Sequence, residues 1–85
     1  MTMYYVYVLK SIKDGKLYTR KTSNLKRRIR EHNSGKVIST KARRPLELVF
    51  YEAFLHKTDA GRDEIFFKSG YGREVLKDKL LNSLK

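Results

Sequence analysis

Residues 17–33 read LYTRKTSNLKRRIREHN, and the change of period inside this stretch decides the fold. Leu17-Tyr18 starts a short strand, announced by the tight-turn pair Asp14-Gly15 just before it. Upstream, Tyr4-Tyr5-Val6-Tyr7-Val8-Leu9 is aromatic or branched on both alternating faces, the pattern of a strand covered on both sides. Together these segments form a hairpin. Thr22-Ser23-Asn24 then offers N-cap residues, and Leu25 and Ile29 at i and i+4 set an apolar helical stripe. The spacing predicts a helix over Leu25–Asn33, with Gly35 shortly after it as the terminator.

Further along, Lys36–Arg44 reads as a basic polar loop closed by Pro45, and Leu46–Leu55 (LELVFYEAFL) as a third strand. Thr58 is the expected cap of a second helix running to about Ser69, with Gly70 as its stop and Gly61 weakening its first turn by roughly 1 kcal/mol relative to Ala. Arg73–Leu84 repeats the helical period through Val75, Leu76, Leu80 and Leu84. The expected architecture is one α+β domain over residues 1–85. It has a small, mostly antiparallel three-stranded sheet flanked by helices, in the order β-β-α-β-α-α.

Charge is the strongest global signal: 20 Lys and Arg face 9 Asp and Glu, a formal net charge of +11. Between Lys16 and Arg44 there are eleven cations, and Glu31 is the single acid. Such a one-signed block attracts polyanions, so the expected partner is DNA or another nucleic acid, although an anionic membrane surface would draw the same patch. There is no cysteine, which removes thiol nucleophiles and Cys-ligated zinc. No stretch approaches the ~18 apolar residues of a membrane span and no secretory leader is recognisable, so a cytoplasmic location without membrane partners is expected. Gly-rich phosphate loops and hydrolase triads with familiar spacing are missing from the sequence as well.

Within the first helix, Lys26, Arg27 and Arg30 point away from the Leu25–Ile29 stripe, as solvated charges should. Arg28 and His32 fall on or beside it. A guanidinium at a core margin needs a partner: either an ion pair with Glu52 or Glu64, or a phosphate whose oxygens match its planar fork. His32 is either a hydrogen-bonded structural histidine or part of a site. Glu64 lies on the apolar stripe of the second helix with Ala60 and Phe67, so it is paired with a base or held for a metal. A hard cation such as Mg²⁺ needs only one or two carboxylates when substrate phosphates complete its shell.

These pieces resemble the GIY-YIG endonuclease family, in particular its short stand-alone bacterial members, and are similar to the N-terminal nuclease domain of the UvrC excision-repair nuclease. The resemblance runs from Tyr4 to about Lys79. Tyr5-Val6-Tyr7 stands in the GIY position, Tyr18-Thr19-Arg20 in the YIG position, and Lys21–Ile29 resembles the G-K-T-x-x-L-x-x-R-[IL] segment. His32–Lys36, Thr40–Pro45, Asp59-Ala60 with Glu64, and Lys68–Arg73 complete the order. The resemblance implies a metal-dependent endonuclease cutting phosphodiester bonds in DNA, with any selectivity resting on structure, such as flaps or branches, as in repair or recombination. It implies Tyr7 and Tyr18 as motif tyrosines, one of them deprotonating the attacking water, with Lys21 assisting. Arg28 would bind the scissile phosphate, His32 would stand at a His/Tyr position, and Glu64 would hold one Mg²⁺ or Mn²⁺ ion. Arg20, Lys26, Arg27, Lys41, Arg43 and Arg44 are the expected nucleic-acid contacts. A tyrosine base needs its pKa of about 10 lowered, which the neighbouring cations are expected to do. Thr19 and Arg20 depart from the YIG tripeptide, and the alternative they raise is a catalytically weakened nucleic-acid-binding module.

Overall fold

The structure, a computed structural model, describes residues 2–85. Its sheet has the order β2-β1-β3, so β1 (Tyr4–Ser11) lies between β2 (Leu17–Thr22) and β3 (Leu46–Phe54), antiparallel to both. The central position explains why Val6, Tyr7, Val8 and Leu9 are all completely buried. The hairpin turn closes on Gly15, whose φ of 75° lies in the region glycine favours, while Asp14 Oδ1 accepts from the Lys16 amide at 2.9 Å.

Alternate residues of β1 serve different layers. Val6 and Val8 pack with Ala60 and Phe67 of α3 (Lys57–Lys68) and with Leu76 of α4 (Gly70–Lys79), joined by Leu80 just beyond it. Tyr7 and Leu9 point to the other layer, against Leu46 and against Leu25 and Ile29 of α1 (Leu25–Asn33). Asn33 ties the end of that helix to the start of β3: Nδ2 donates to the Leu46 carbonyl at 3.0 Å and Oδ1 accepts from the Leu46 amide at 2.8 Å.

The α+β class and the expected succession of elements hold, and the first helix has the expected bounds. Its cap is Asn24, whose side chain accepts from the Arg27 amide at 3.1 Å, while Thr22 belongs to β2. Four details differ. The basic loop contains a single-turn helix, α2 (Ile38–Lys41), with Thr40 buried. The next helix begins at Lys57 with His56 in the cap position, so Thr58 sits inside it. Gly70 opens α4 instead of merely stopping α3, because the Ser69 side chain accepts from the Gly72 amide and caps the new helix. That helix ends at Lys79, and Leu80 and Leu84 continue its packing through turns.

Candidate active site

Tyr7 pairs across the sheet with Arg20, and Leu9 with Tyr18, which places both tyrosines and Arg20 on the α1 face. Leu25 and Ile29 seat α1 on that face, and one helical turn further on the same side brings His32 over Tyr7. Tyr7 Oη and His32 Nε2 lie 2.8 Å apart, with the rings edge to face and 5.8 Å between centroids. The other imidazole nitrogen, Nδ1, is 2.8 Å from Thr40 Oγ1. Tyr7, His32 and Thr40 all have zero exposure. His32 is therefore a fully hydrogen-bonded buried residue, and its principal partner is itself a candidate site residue.

Arg28 closes the cluster. Its Nη1 donates to Glu31 Oε1 at 3.0 Å, and its guanidinium lies close enough to Tyr7 for its charge to pull on the phenol. The partner expected from sequence, Glu52 or Glu64, is thus replaced by an acid one turn away on the same helix. The Arg28 side chain keeps 39% of its surface exposed, enough to meet a ligand. Glu31 is held below the ordinary carboxylate range by Arg28. The expectation that cations lower the tyrosine pKa is reversed at Tyr7: burial pushes the phenol up, outweighing the opposing pull of Arg28 and Arg20. Burial and the same two cations push His32 down, so its imidazole is neutral at physiological pH.

Lys21 and Glu64 lie on the other side of the sheet. Lys21 pairs with Val6, which faces α3, and a Cβ built on Gly61 would stand 3.5 Å from Lys21 Nζ. Glu64 follows Gly61 by one turn and forms an ion pair with Lys68 at 3.2 Å. Its charge still reaches Tyr7, where it opposes ionisation. Arg20 Nη1 donates to the Thr19 carbonyl at 2.8 Å, folding the side chain along its own strand beside Tyr7.

Of the expected nucleic-acid contacts, Lys26, Arg27, Lys41 and Arg44 are exposed. Arg27 lies 3.9 Å from Glu31, and Arg44 Nε donates to the Lys41 carbonyl at 2.9 Å. Arg43 is engaged by Asp14 at 3.2 Å, which makes it a clasp between the hairpin turn and the α2 segment.

A family model described as the GIY-YIG catalytic domain matches residues 3–77. The chain belongs to the GIY-YIG family. It is 44% identical over 78 residues to a UPF0213 protein of Staphylococcus haemolyticus, covering 91% of this chain and 94% of that one. A UPF0213 protein of Streptococcus agalactiae is 48% identical over 65 residues, 75% of this chain and 73% of the other. The solution NMR structure of a UPF0213 protein from Bacillus halodurans is 40% identical, with a TM-score of 0.56 over 89% of this chain and 83% of that chain. GIY-YIG membership makes this a domain of a nuclease family, with nucleic acid as its substrate class. Among the described residues, no helix is long and apolar enough to cross a membrane.

Within the GIY-YIG chain the two motif segments lie side by side on β1 and β2, and α1 carries Arg28 and His32 over them. Thr40 and Glu31 complete the hydrogen bonding of the cluster, and neither stood out in the sequence. Thr40 sits in a basic loop without periodicity, and Glu31 looked like an isolated acid in a cationic block.

Proposed function

We propose that this chain is a cytoplasmic, metal-dependent endonuclease that hydrolyses phosphodiester bonds in DNA. The observation that carries the reading is the Tyr7–His32–Arg28 cluster, in which a phenol, a neutral imidazole and a half-exposed guanidinium meet under one helix. Arg28 is the phosphate ligand. A dianionic-like transition state competes for the guanidinium against the single carboxylate of Glu31, and the fork of Arg28 can take two phosphate oxygens together. Donors of this kind aimed at developing charge contribute about 10²–10³ in rate.

Tyr7, completely buried in the free chain, becomes the proton acceptor for the attacking water once the half-exposed Arg28 turns to the phosphate and opens Oη, because it has a base behind it. As the water oxygen bonds to phosphorus, the water O–H breaks and its proton passes to Tyr7 Oη. The Tyr7 hydrogen moves in the same step to His32 Nε2, so no free phenolate forms where burial disfavours one. The P–O bond to the leaving strand then breaks, and the proton returns from His32 through Tyr7 to the departing oxygen or to solvent. Tyr18, half-buried on the same face, borders the cluster, and Arg20, Lys26, Arg27, Lys41 and Arg44 hold flanking phosphates.

Among the described residues there is no group of three or more His, Asp or Glu side chains converging on one point. That donor set still fits a Mg²⁺ or Mn²⁺ ion, since one carboxylate suffices when substrate oxygens complete the shell. Glu64 would hold it, released from Lys68. When bound, such an ion polarises a phosphoryl oxygen and neutralises developing charge. The contacts assigned here are cations directed at phosphates, which carry no sequence information, and this favours selection of DNA by shape, as in repair or recombination.

A second reading, a binding module with weakened turnover, is favoured by Arg20 in the last YIG position, where its charge falls on both Tyr7 and His32. Supercoiled plasmid with Mg²⁺ or Mn²⁺ separates the two. Nicking abolished by EDTA, Glu64→Ala and Arg28→Ala establishes the nuclease. Nicking by Arg20→Gly alone identifies an inactivated scaffold, and a gel shift without cleavage by either protein supports the binding module.

A further inference from the structure

The hydrogen bonds around His32 have a direction that follows from where each proton can go. Tyr7 is completely buried and its Oη carries one hydrogen. Arg28, whose charge acts on Tyr7, can only donate. Among the described residues the acceptor left for the Tyr7 hydrogen is His32 Nε2, at 2.8 Å. Nε2 is then bare, and in a neutral imidazole the hydrogen sits on Nδ1, pointing at Thr40 Oγ1 2.8 Å away. Thr40 hands its own hydrogen on to the Val37 carbonyl at 3.5 Å. The reverse arrangement leaves the Tyr7 hydroxyl hydrogen with no acceptor in the interior, a loss of the kind that costs about 1–3 kcal/mol.

The packing of α2 points the same way. Thr40 is completely buried whereas Ile38, two residues earlier on the same turn, is 91% exposed. Hydrophobic burial alone would turn this segment over, isoleucine inward and threonine outward. The segment is held in its observed orientation from the hairpin side, where Ser11 Oγ donates to the Arg43 carbonyl at 2.7 Å and Arg43 pairs with Asp14.

We propose that Thr40 is a positioning residue for the Tyr7–His32 pair. By accepting the Nδ1 hydrogen it holds His32 in the tautomer whose Nε2 takes the Tyr7 proton, and it stays bonded to Nδ1–H after the imidazole becomes charged. The inference rests on the nuclease reading for its purpose, but its geometry is testable without DNA.

The experiment is ¹⁵N NMR of the histidine rings in the intact protein, with Thr40→Val and Thr40→Ser alongside and plasmid nicking rates on the same samples. His56, the other histidine and an exposed one, serves as the internal reference. In the parent, His32 should carry hydrogen on Nδ1 only. Thr40→Val, which keeps the shape and removes the hydroxyl, should populate the Nε2–H form and lower kcat by roughly ten- to a hundred-fold with KM unchanged, part of the 10²–10⁴ that proton transfer contributes. Thr40→Ser should restore the parental tautomer and most of the rate. An Nε2–H ring in the parent overturns the proposal, as does a Thr40→Val protein that keeps the parental tautomer. Parental nicking by Thr40→Val beside an inactive His32→Ala also overturns it. A parent that never nicks DNA refutes the nuclease reading instead, while its ring spectrum still decides the tautomer.

Discussion

The two faces of β1 are built from neighbouring residues and do opposite work. Val6 and Val8 enter an apolar layer with Phe67, Leu76 and Leu80. Tyr7, between them, enters a layer where a phenol, an imidazole and a hydroxyl are buried and satisfied by one another. One face removes apolar area from water, which stabilises without directing; the other gives up some of that area for hydrogen bonds of fixed direction. The difference teaches that in a chain of this length the core and the site can share a strand, with the two-residue period keeping them apart.

The sharpest way to break the comparison is on the α3–α4 face. Phe67→Ala removes a buried ring packed edge to face with Phe50 and Phe66, and should cost about 3–5 kcal/mol. Thermal unfolding should show a large drop in Tm while the fraction that remains folded nicks DNA normally. A loss of specific activity equal to that of Arg28→Ala would mean that the packing of Phe67, and not Glu64 alone, ties the α3 layer to the site. Arg28→Ala acts on the other side: nicking should fall by about 10²–10³, with little change in Tm, since the half-exposed pair it breaks contributes at most about 1 kcal/mol.

Acids on adjacent positions of α3 sharpen the contrast. Glu64 is paired with Lys68, but Asp63 faces Glu52, and its Oδ2 is a buried oxygen without a partner. Burial and the neighbouring Glu52 push Asp63 up to about 7. A raised pKa stabilises the fold at low pH and loses that contribution as pH rises from about 4, the unfolded value, through about 7. Asp63→Asn should therefore raise Tm at pH 8 and leave it nearly unchanged near pH 4, read by thermal scans at the two pH values. A variant less stable than the parent at pH 8 would show that the charged pair is structural. The smallest effects belong to the exposed cations: Lys26→Ala or Arg27→Ala should reduce the salt-dependence slope of DNA binding by about 1 each, with no change of preference among sequences.

How much of this was legible beforehand depended on period and on local partners. The helix Leu25–Asn33 was readable to its ends because Leu25, Ile29 and a cap at Asn24 agree. The start of α3 was misplaced because Thr58 is a good capping residue in composition, yet the chain turns two residues earlier, at His56. Arg28 stood out in the sequence by its place at the margin of the apolar stripe, but its carboxylate partner was sought at a distance when it lies three residues on. Thr40 could not be found from pattern, since a single buried hydroxyl in a four-residue helix leaves no repeat. Whether Tyr7 is lowered or raised was equally hidden, because its sign rests on burial against cations, and sequence counts only the cations.

The sheet order β2-β1-β3 leaves β2 with one side unpaired, and such an edge is an open template for another strand. Arg20 and Lys21 sit on it, with Lys16 at its start. Two copies approaching edge to edge would bring like charges to strand-pairing distance, a standing penalty against fibre growth. The cations that suit this rim to a phosphate backbone therefore also act as a colloidal guard. Neutralising them would loosen nucleic-acid binding and, in the same stroke, expose a small protein to sheet-to-sheet aggregation.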